Sequence, residues 1–362
     1  MTYSRTTTAS PYMQFAKLRS GATYALATSG IASYPLAELP VQLDQLEING
    51  PTVYGYQPLL DRLAALNGVP SECVVSATGT SFANHLAMAA TFEPGDEVLI
   101  ESPTYELLLS TARFLGAGIR RFPRRLENSF AIDPSDIAAQ ITNRTRLIVL
   151  TNLHNPTGAL VDEETLREIG EIAAKSGARV LVDEVYLESL YKHRPKPAVH
   201  LGPQFVVTSS LTKAYGLSGI RCGWVLAEAE LARRMWFIND LYAATPVFPA
   251  EQLGVIALDN LERIASRAEA ILENNRPAIT QFLDSHPELI CARPAHGTVY
   301  FPGRPGLDTE RLLQLLQTKY DTSIVPGTYF EMPEHFRIGI GGEPEATREG
   351  LLRLGRAFDG IY

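Results

Sequence analysis

The sequence of 362 residues has little cysteine, no cluster of lysine and arginine, and no long apolar run. Its cysteines, Cys73, Cys222 and Cys291, are far apart and odd in number. They therefore predict neither a disulfide framework nor a CxxC metal site, and they favour a reducing cytoplasm. The N-terminus lacks the apolar stretch of a signal peptide, and no segment is apolar for long enough to span a bilayer. We expect a cytoplasmic protein that has no membrane contact and no metal centre.

The overall charge is acidic, with a formal net charge of −8 and an isoelectric point near 5.5. A surface that binds nucleic acid or anionic lipid needs clustered positive charge, so we expect neither nucleic acid nor a membrane as a partner. Apolar residues make up 45% of the chain and charged residues 20%, which is ordinary globular usage. A chain of this length and composition can bury a large core in one big domain with a second lobe.

Short β-rich runs alternate with helical patterns between about residues 50 and 250. The predicted strands are Cys73–Val75, Glu97–Ile100, Leu147–Leu150, Val180–Val182, Phe205–Val207 and Trp224–Leu226. Several are apolar at every position, as expected of parallel strands that are covered on both faces. The clearest helix runs from Asp162, a plausible N-cap, to Ser176, with Gly177 as its stop. This alternation predicts an α/β fold with a mostly parallel, doubly wound sheet.

The texture of the sequence changes near residue 250. A long helical stretch there has the character of a connector, and the remainder predicts a small α+β lobe with strands near Gly297–Phe301 and Phe336–Ile340. The first forty-odd residues are too few for a domain of their own. We therefore predict a large domain over residues 45–255 and a smaller domain built from residues 1–44 and 256–362.

Polar residues follow four of the predicted strands, at the carboxyl ends where ligands bind in open α/β sheets. They are the turn Gly79-Thr80-Ser81, the amide of Asn155 in an Asn-Pro-Thr-Gly turn, the Asp183 carboxylate with Tyr186, and Lys213. The first is a glycine and hydroxyl turn that enters a helix, which suits a phosphate. Each feature alone is common in structural turns and caps, so only their joint placement is informative.

Pyridoxal phosphate chemistry requires such a set of groups. Its aldehyde needs a lysine amine, which Lys213 offers, and its ring nitrogen needs a carboxylate, which Asp183 offers. A phenol and an amide suit the ring oxygen O3′. The guanidinium of Arg221, eight residues after the lysine, and the hydroxyl of Ser210 suit the phosphate.

The segment SSLTKAYGLSGIRCGW, together with NPTG, VDEVY, ESPTYELLL and FRIGIGG, closely resembles the class I/II aminotransferases, which are fold type I pyridoxal-phosphate enzymes. The resemblance covers about residues 50 to 345, with the motifs in the family order. It implies pyridoxal 5′-phosphate as the cofactor, and an amino acid and a keto acid as small-molecule partners in the reaction.

The resemblance also implies roles for individual residues. The catalytic residues would be Lys213, which forms the Schiff base and shuttles a proton, together with Asp183 and Tyr186. The cofactor contacts would be Tyr105 stacked on the ring, Asn155 and Tyr186 at O3′, Asp183 at the ring nitrogen, and Gly79, Thr80, Ser81, Ser210 and Arg221 around the phosphate. The substrate contacts would be Arg337 on the α-carboxylate, with Asn155, Gly30 and Ile31.

The resemblance also implies a homodimer, because enzymes of this family have their active site at a dimer interface. A tyrosine of the other subunit would reach the phosphate. Tyr54 is the candidate for that tyrosine, and Tyr56 stays open as an alternative.

The leading interpretation is an aminotransferase that acts on an α-amino acid. Relatives with the same motifs run decarboxylation, elimination or cyclisation, so a lyase, decarboxylase or cyclase stays open as the alternative. Which bond at Cα breaks depends on geometry that the motifs do not encode. His154 and His296 lie within motifs that face the site, and each is compatible with reading a polar substrate side chain or with ordinary packing. A nucleotide-binding oxidoreductase is disfavoured, because GLSGIRCG lacks the GxGxxG spacing.

Overall fold

The computed structural model describes residues 8–361. The strands are β1 (Tyr24–Ala25), β2 (Val74–Thr78), β3 (Glu97–Ser102), β4 (Gly118–Pro123), β5 (Thr145–Thr151), β6 (Arg179–Asp183), β7 (Phe205–Ser210), β8 (Cys222–Leu226), β9 (Val299–Tyr300), β10 (Thr322–Ser323), β11 (Val325–Pro326) and β12 (Phe336–Gly339). The helices are α1 (Pro11–Leu18), α2 (Gln57–Asn67), α3 (Thr80–Thr91), α4 (Glu106–Phe114), α5 (Pro134–Gln140), α6 (Glu163–Ser176), α7 (Ala229–Asp240), α8 (Phe248–Asp259), α9 (Leu261–Ser285), α10 (Thr309–Lys319) and α11 (Pro344–Ile361).

A seven-stranded sheet in the order β2-β8-β7-β6-β5-β3-β4 forms the centre of the fold. Only β8 runs against its neighbours; the pairs of β3 with β4, β3 with β5, β5 with β6 and β6 with β7 are all parallel. The middle strands are apolar and fully buried, as in Leu147–Leu150, because helices cover both faces. The predicted α/β fold with a mostly parallel sheet is confirmed.

All six predicted strands lie in this sheet, but the prediction missed its seventh strand, β4. Its sequence, GIRRFP, places Arg120 and Arg121 in the middle of the strand, and most of its residues are only half-buried. An edge strand needs no continuous apolar run, because one of its sides faces solvent. The first predicted strand also starts one residue later than expected, since Cys73 belongs to a 3₁₀ turn.

The predicted helix after residue 162 is confirmed as α6. Asp162 caps it by accepting a hydrogen bond from the Thr165 amide at 2.8 Å, and Gly177 ends it with a φ of 72°. That left-handed conformation favours glycine, which has no Cβ to clash. The long helical stretch predicted after residue 250 is divided at Asn260 into α8 and α9.

Two large hydrophobic clusters make up most of the core. One surrounds the large sheet and ends along the chain at Ile264, while the other begins again at Ala268 and includes α1, α10, α11 and the antiparallel sheet β11-β12-β9. The N-terminal segment is divided: its buried residues from Tyr12 to Ile31 join the second cluster, whereas Tyr34 and Leu39 join the first. Strand β1 pairs with β10. The predicted domain boundaries stay predictions, and residues 1–7 and 362 of the smaller predicted domain lie outside the described residues. Within residues 8–361, no helix combines the length and the apolar character that crossing a membrane requires.

Candidate active site

A pocket of about 210 Å³ lies at the carboxyl ends of β2, β5, β6 and β7. Because these strands are parallel, the residues that follow them meet at one edge of the sheet. Most of the predicted site residues line this pocket: Thr80, Ser81, Tyr105, Asn155, Asp183, Tyr186, Ser210, Lys213 and Arg221. The structure therefore brings together side chains that are more than a hundred residues apart in sequence.

Lys213 lies three residues beyond the end of β7, and its amine points into the pocket. The Nζ atom donates a hydrogen bond to Ser29 Oγ at 3.1 Å. The backbone of the lysine is held as well, since the Ile31 amide donates to its carbonyl at 2.8 Å. Gly30 packs against the same carbonyl, where a Cβ would approach the oxygen to 3.3 Å. Gly30 and Ile31 thus contact the lysine backbone and border a neighbouring cavity, whereas Ser29, which sequence reasoning missed, reaches the amine.

Asp183 ends β6 as a buried carboxylate. It accepts hydrogen bonds from Asn84 Nδ2 at 2.8 Å and from the Val185 amide at 3.1 Å. Burial raises the pKa of Asp183 to about 6, although these two hydrogen bonds lower it. Thr208 Oγ1 donates to Asn84 Oδ1 at 2.6 Å and so orients the amide. Sequence reasoning missed Asn84; the available signal was its position four residues after Thr80, which is one turn along α3.

The anion cradle combines the start of α3 with Arg221. The amides in the first turn of a helix have no intrahelical acceptor, and they form the positive end of the helix dipole. Such a helix start therefore favours a phosphate. Gly79 has a φ of 79°, and a Cβ there would overlap Arg221 Nη2. Arg221 itself has a φ of 55°, which is rare for a residue other than glycine. It donates to the Thr78 carbonyl at 3.0 Å, which holds its guanidinium against the cradle.

Hydroxyl groups complete the cradle. Thr80 Oγ1 donates to Ser210 Oγ at 2.8 Å, so the two predicted hydroxyls lie side by side in the floor of the pocket. Ser81 is exposed at its rim. The predicted phosphate residues therefore lie together and share one face of the pocket.

Tyr186 has a buried hydroxyl without a hydrogen-bond partner among the described residues. A buried hydroxyl that makes no hydrogen bond is costly, by about 1–3 kcal/mol, so such a group indicates a ligand atom that is to be bound there. Tyr105 lies on the same pocket, with its hydroxyl 3.5 Å from Met13 Sδ. The pocket thus offers an aromatic ring and a free phenol in addition to its charges.

Arg337 lies on β12 between Phe336 and Ile338, and its side chain is fully buried. Its Nη1 atom donates to Asn155 Oδ1 at 2.9 Å, and its Nη2 atom donates to the Tyr12 hydroxyl at 2.8 Å. Its Nε atom has no partner, and no carboxylate within residues 8–361 forms an ion pair with it. Such an uncompensated buried cation is strongly unfavourable unless an anion joins it.

A buried ion pair supports Asn155 from below. The backbone N–H of Asn155 donates to Thr151 Oγ1 at 3.0 Å, and that hydroxyl donates to Glu101 Oε1 at 2.7 Å. Arg124 Nη1 donates to Glu101 Oε2 at 2.9 Å, and neither side chain of this pair is exposed. Burial raises the pKa of Glu101, and it lowers the pKa of Arg124. Sequence reasoning missed this pair, because nothing local in the sequence links residues 101, 124 and 151.

His154 belongs to the packing around this ion pair. Its Nε2 atom donates to the Pro103 carbonyl at 3.0 Å, and its Nδ1 atom is 2.7 Å from Thr157 Oγ1. Burial lowers its pKa well below the usual range, so the ring is neutral. Of the two open interpretations of His154, the structure supports ordinary packing. His296 is exposed.

These groups fit pyridoxal 5′-phosphate. Lys213 offers the amine, Asp183 a buried carboxylate, Tyr186 an unpaired phenol, and the start of α3 with Arg221 an anion cradle. A carboxylate for a ring nitrogen, a cradle for a phosphate and an amine for an aldehyde are the contacts that this cofactor needs. The fold and the pocket therefore define a pyridoxal-phosphate enzyme.

Comparisons with known proteins narrow this class. The family model "Aminotransferase class I and II" matches residues 41–354. Capreomycidine synthase of Streptomyces vinaceus is 31% identical over 344 residues, which cover 91% of this chain and 88% of that protein. Aspartate aminotransferase of Pyrococcus horikoshii is 28% identical over 297 residues, which cover 80% of this chain and 76% of that protein. The crystal structure of a PLP-dependent aminotransferase from Streptococcus suis superposes with a TM-score of 0.90 at 28% identity, covering 97% of each chain.

The chain belongs to the class I and II aminotransferase family. By family it is a pyridoxal-phosphate-dependent aminotransferase, and pyridoxal 5′-phosphate is its cofactor.

Proposed function

We propose that the enzyme transfers the amino group of an α-amino acid to a keto acid, and that Arg337 binds the α-carboxylate that both substrates carry. The observation that carries this proposal is the burial of Arg337 without a carboxylate partner. A buried guanidinium recovers its lost hydration only when an anion reaches it, and its planar fork matches a carboxylate. Amino acids and keto acids share that carboxylate, so one arginine serves both halves of the reaction.

When bound, pyridoxal 5′-phosphate supplies an aldehyde that condenses with amines and a ring that withdraws electrons from Cα. The residues that would hold it line the pocket, except Gly79, which lies against Arg221: Asp183 at the ring nitrogen, Asn155 and Tyr186 at O3′, Tyr105 over the ring, and Gly79, Thr80, Ser81, Ser210 and Arg221 at the phosphate. Support comes from the unpaired Tyr186 hydroxyl and from the buried Asp183, whose carboxylate a cationic ring nitrogen would compensate.

Lys213 is proposed as the group that moves the proton at Cα. Its amine lies within the pocket, where it donates to Ser29 Oγ, so it would lie beside the Cα of a bound substrate. An amine positioned within hydrogen-bond reach of the proton at Cα is a suitable general base and acid. Gly30 and Ile31, which hold the lysine backbone, would border the substrate on the same side.

A synthase, lyase, decarboxylase or cyclase activity is the second candidate. One observation favours it: a relative at 31% identity over most of the chain is named capreomycidine synthase rather than aminotransferase. All these reactions use the same lysine, aspartate and carboxylate site. The bond that breaks depends on how the substrate is turned about Cα, so a small difference in the pocket suffices to change the outcome.

We further propose that the enzyme is a homodimer in which Tyr54 reaches the partner subunit's cofactor site. Support comes from exposed apolar side chains in two neighbouring segments: Ile48, Val53, Tyr54, Phe237, Leu241, Tyr242 and Val247. Exposed apolar surface of this extent is typical of an interface between proteins. The Tyr54 ring is more exposed than that of Tyr56, which packs edge-on against Phe248 with a centroid distance of 5.0 Å. Sedimentation velocity of the enzyme tests the dimer directly; a monomer at micromolar concentration would contradict it.

A cytoplasmic location is proposed on chemical grounds. Cys73, Cys222 and Cys291 are all free thiols, and none pairs with another. Free thiols are stable in a reducing compartment.

The absorbance spectrum of the purified enzyme, recorded with added amino acids one at a time, tests the proposed function. An aminotransferase should lose the visible band of the bound aldehyde form with its amino acid and recover it when a keto acid is added. Release of ammonia or carbon dioxide, or formation of a cyclic product, would favour the second candidate. Absence of any band after addition of pyridoxal 5′-phosphate would contradict both.

A further inference from the structure

Helix α1 lies directly over the pocket and carries three of its lining residues, Tyr12, Met13 and Ala16. Its N-cap, Ser10, is hydrogen-bonded to the carboxylate of Glu106 on α4, and the same carboxylate accepts from the Tyr12 amide at 3.4 Å. The helix is thereby attached to α4 at the pocket.

The phenol of Tyr12 is buried and meets Arg337 at the pocket. Its oxygen accepts a hydrogen bond from Arg337 Nη2 at 2.8 Å, and the described residues provide no acceptor for its own proton. Burial raises the pKa of Tyr12, but the nearby cations Arg337 and Lys213 outweigh burial and lower it. The hydroxyl is therefore a good donor with an unused proton, located beside the cation that would receive a carboxylate.

Aromatic neighbours fix the Tyr12 ring in place. It meets Tyr105 edge-on with centroids 5.2 Å apart, and it meets Phe330 at 5.9 Å. The Arg337 guanidinium lies over the ring, 5.6 Å from its centroid. Because the ring is held from several sides, its hydroxyl stays at one position and loses little freedom when a ligand arrives.

We propose that Tyr12 is a substrate-binding residue that donates a hydrogen bond to the α-carboxylate held by Arg337. This inference rests on the proposed function. A carboxylate has two oxygens that accept about four hydrogen bonds. Arg337 already donates to Asn155, to Tyr12 and to the Ala27 carbonyl, so too few of its five N–H groups remain to fill all four positions. Tyr12 adds a donor beside Nη2 of Arg337, whereas Asn155 is bonded to Nη1. The N-terminal helix thus takes part in recognising every substrate, whatever its side chain.

The test compares Tyr12→Phe with the matched control Tyr329→Phe in the holoenzyme. Tyr329 belongs to the same aromatic group, 6.1 Å from the Tyr12 ring, and no hydrogen bond joins its hydroxyl to Arg337. Tyr12→Phe should weaken binding of propionate, a carboxylate without an amine, by about tenfold or more, as expected for a lost hydrogen bond to a charged group. It should raise KM for amino acid and keto acid alike while changing kcat by less than about threefold, since the contact is kept in the transition state. Tyr329→Phe should leave both quantities unchanged.

Several outcomes would overturn the inference. Equal binding of propionate by the wild type and Tyr12→Phe would do so, as would an equal loss in Tyr329→Phe. A lowered kcat with unchanged KM would indicate that Tyr12 acts elsewhere. Thermal unfolding of both variants separates these results from simple destabilisation, and Arg337→Lys provides the reference for full loss of the site. If the wild type itself turns over no amino acid, the proposed function fails, and this inference fails with it. If the wild type is active and Tyr12→Phe has the same KM and the same affinity for propionate, only the role of Tyr12 is contradicted.

Discussion

Replacing Glu101 with glutamine should destabilise the enzyme strongly, although residue 101 does not line the pocket. The substitution keeps the shape of the side chain and removes its charge. Arg124 is then left without an anion in a place where neither side chain is exposed. One of its nitrogens, Nη2, already lacks a partner among the described residues, so the remaining contacts have little capacity to compensate.

The expected loss in the free energy of unfolding is about 3–5 kcal/mol, the usual cost of removing one partner from a buried ion pair. The glutamine can still accept from Thr151, which now bonds Glu101 through its amide at 2.8 Å and its hydroxyl at 2.7 Å. Its amide group, however, faces Arg124 with a second donor. Most of the loss therefore comes from the guanidinium, and a double variant with Arg124→Met should cost less than the sum of the two single variants.

Arg124→Met alone should behave differently with pH. Without the cation, burial holds the pKa of Glu101 still further above its unfolded value. A carboxyl whose pKa is raised by folding stabilises the folded state below the unfolded pKa, and this contribution is lost as the pH rises through the folded pKa. The deficit of Arg124→Met in the free energy of unfolding, relative to the wild type, should therefore be smaller at about pH 5 than at about pH 8. Arginine cannot lose its proton in this range, so the pH-dependent difference between Arg124→Met and the wild type reports the titration of Glu101.

Urea unfolding, followed by tryptophan fluorescence at a fixed excess of cofactor, measures these differences. Trp224 is fully buried on β8 and reports loss of the large sheet. Reversibility is checked by dilution from urea, and each variant is compared with the wild type at the same pH. A loss below about 1 kcal/mol for Glu101→Gln, the size of a surface pair, would refute the reasoning. So would a pH-independent deficit for Arg124→Met.

Three further predictions concern the pocket. Lys213→Ala should abolish turnover while the protein stays folded, as assayed by steady-state kinetics with circular dichroism as the control; an active variant would refute the proposed role. Gly79→Ala should weaken binding of the cofactor, because the added Cβ overlaps Arg221 Nη2 and because a φ of 79° with a ψ of 169° disfavours alanine by about 1–3 kcal/mol; equilibrium dialysis with unchanged affinity would speak against the cradle. Arg337→Lys should raise KM for amino and keto acid by about 10- to 100-fold, since a point charge replaces a two-pronged donor, with the cofactor spectrum retained; unchanged KM values would show that the carboxylate binds elsewhere.

The sequence predicted the sheet and the cofactor side of the pocket because both obey local rules. A buried parallel strand has a continuous apolar run, and the residue types that follow it reach the same edge, as Asp183 and Lys213 do. The N-terminal side of the pocket obeys no such rule. Tyr12 is 325 residues from Arg337, and only the packing of α1 on α4 brings them together. Ser29 likewise follows no strand or motif that points to the lysine.

Residues that support the site residues from behind the pocket were harder still to predict. Asn84 orients Asp183 from a helix rather than from a strand end, and its only sequence signal is helical spacing. The Glu101 and Arg124 pair lies behind the pocket, where its role depends on a chain of hydrogen bonds through Thr151. Sequence alone does not show which buried polar groups meet. The arginines in β4 show the same limit for the fold, because an edge strand is recognised only once its neighbour is known.

The distribution of the site along the chain has a consequence for the order in which a newly made protein acquires its abilities. Apart from Tyr54, which is proposed to reach the partner subunit's site, the proposed cofactor contacts fall between residues 79 and 221, whereas the carboxylate contacts come from residues 12, 155 and 337. Chains are synthesised from the N-terminus, and folding begins before synthesis ends. A growing chain therefore carries every cofactor residue well before Arg337 exists. Tyr12, which is made first, gains its cationic partner only when β12 has been synthesised and has paired with β9 and β11. On the proposed roles, the carboxylate site is therefore complete only when that one short strand is in place.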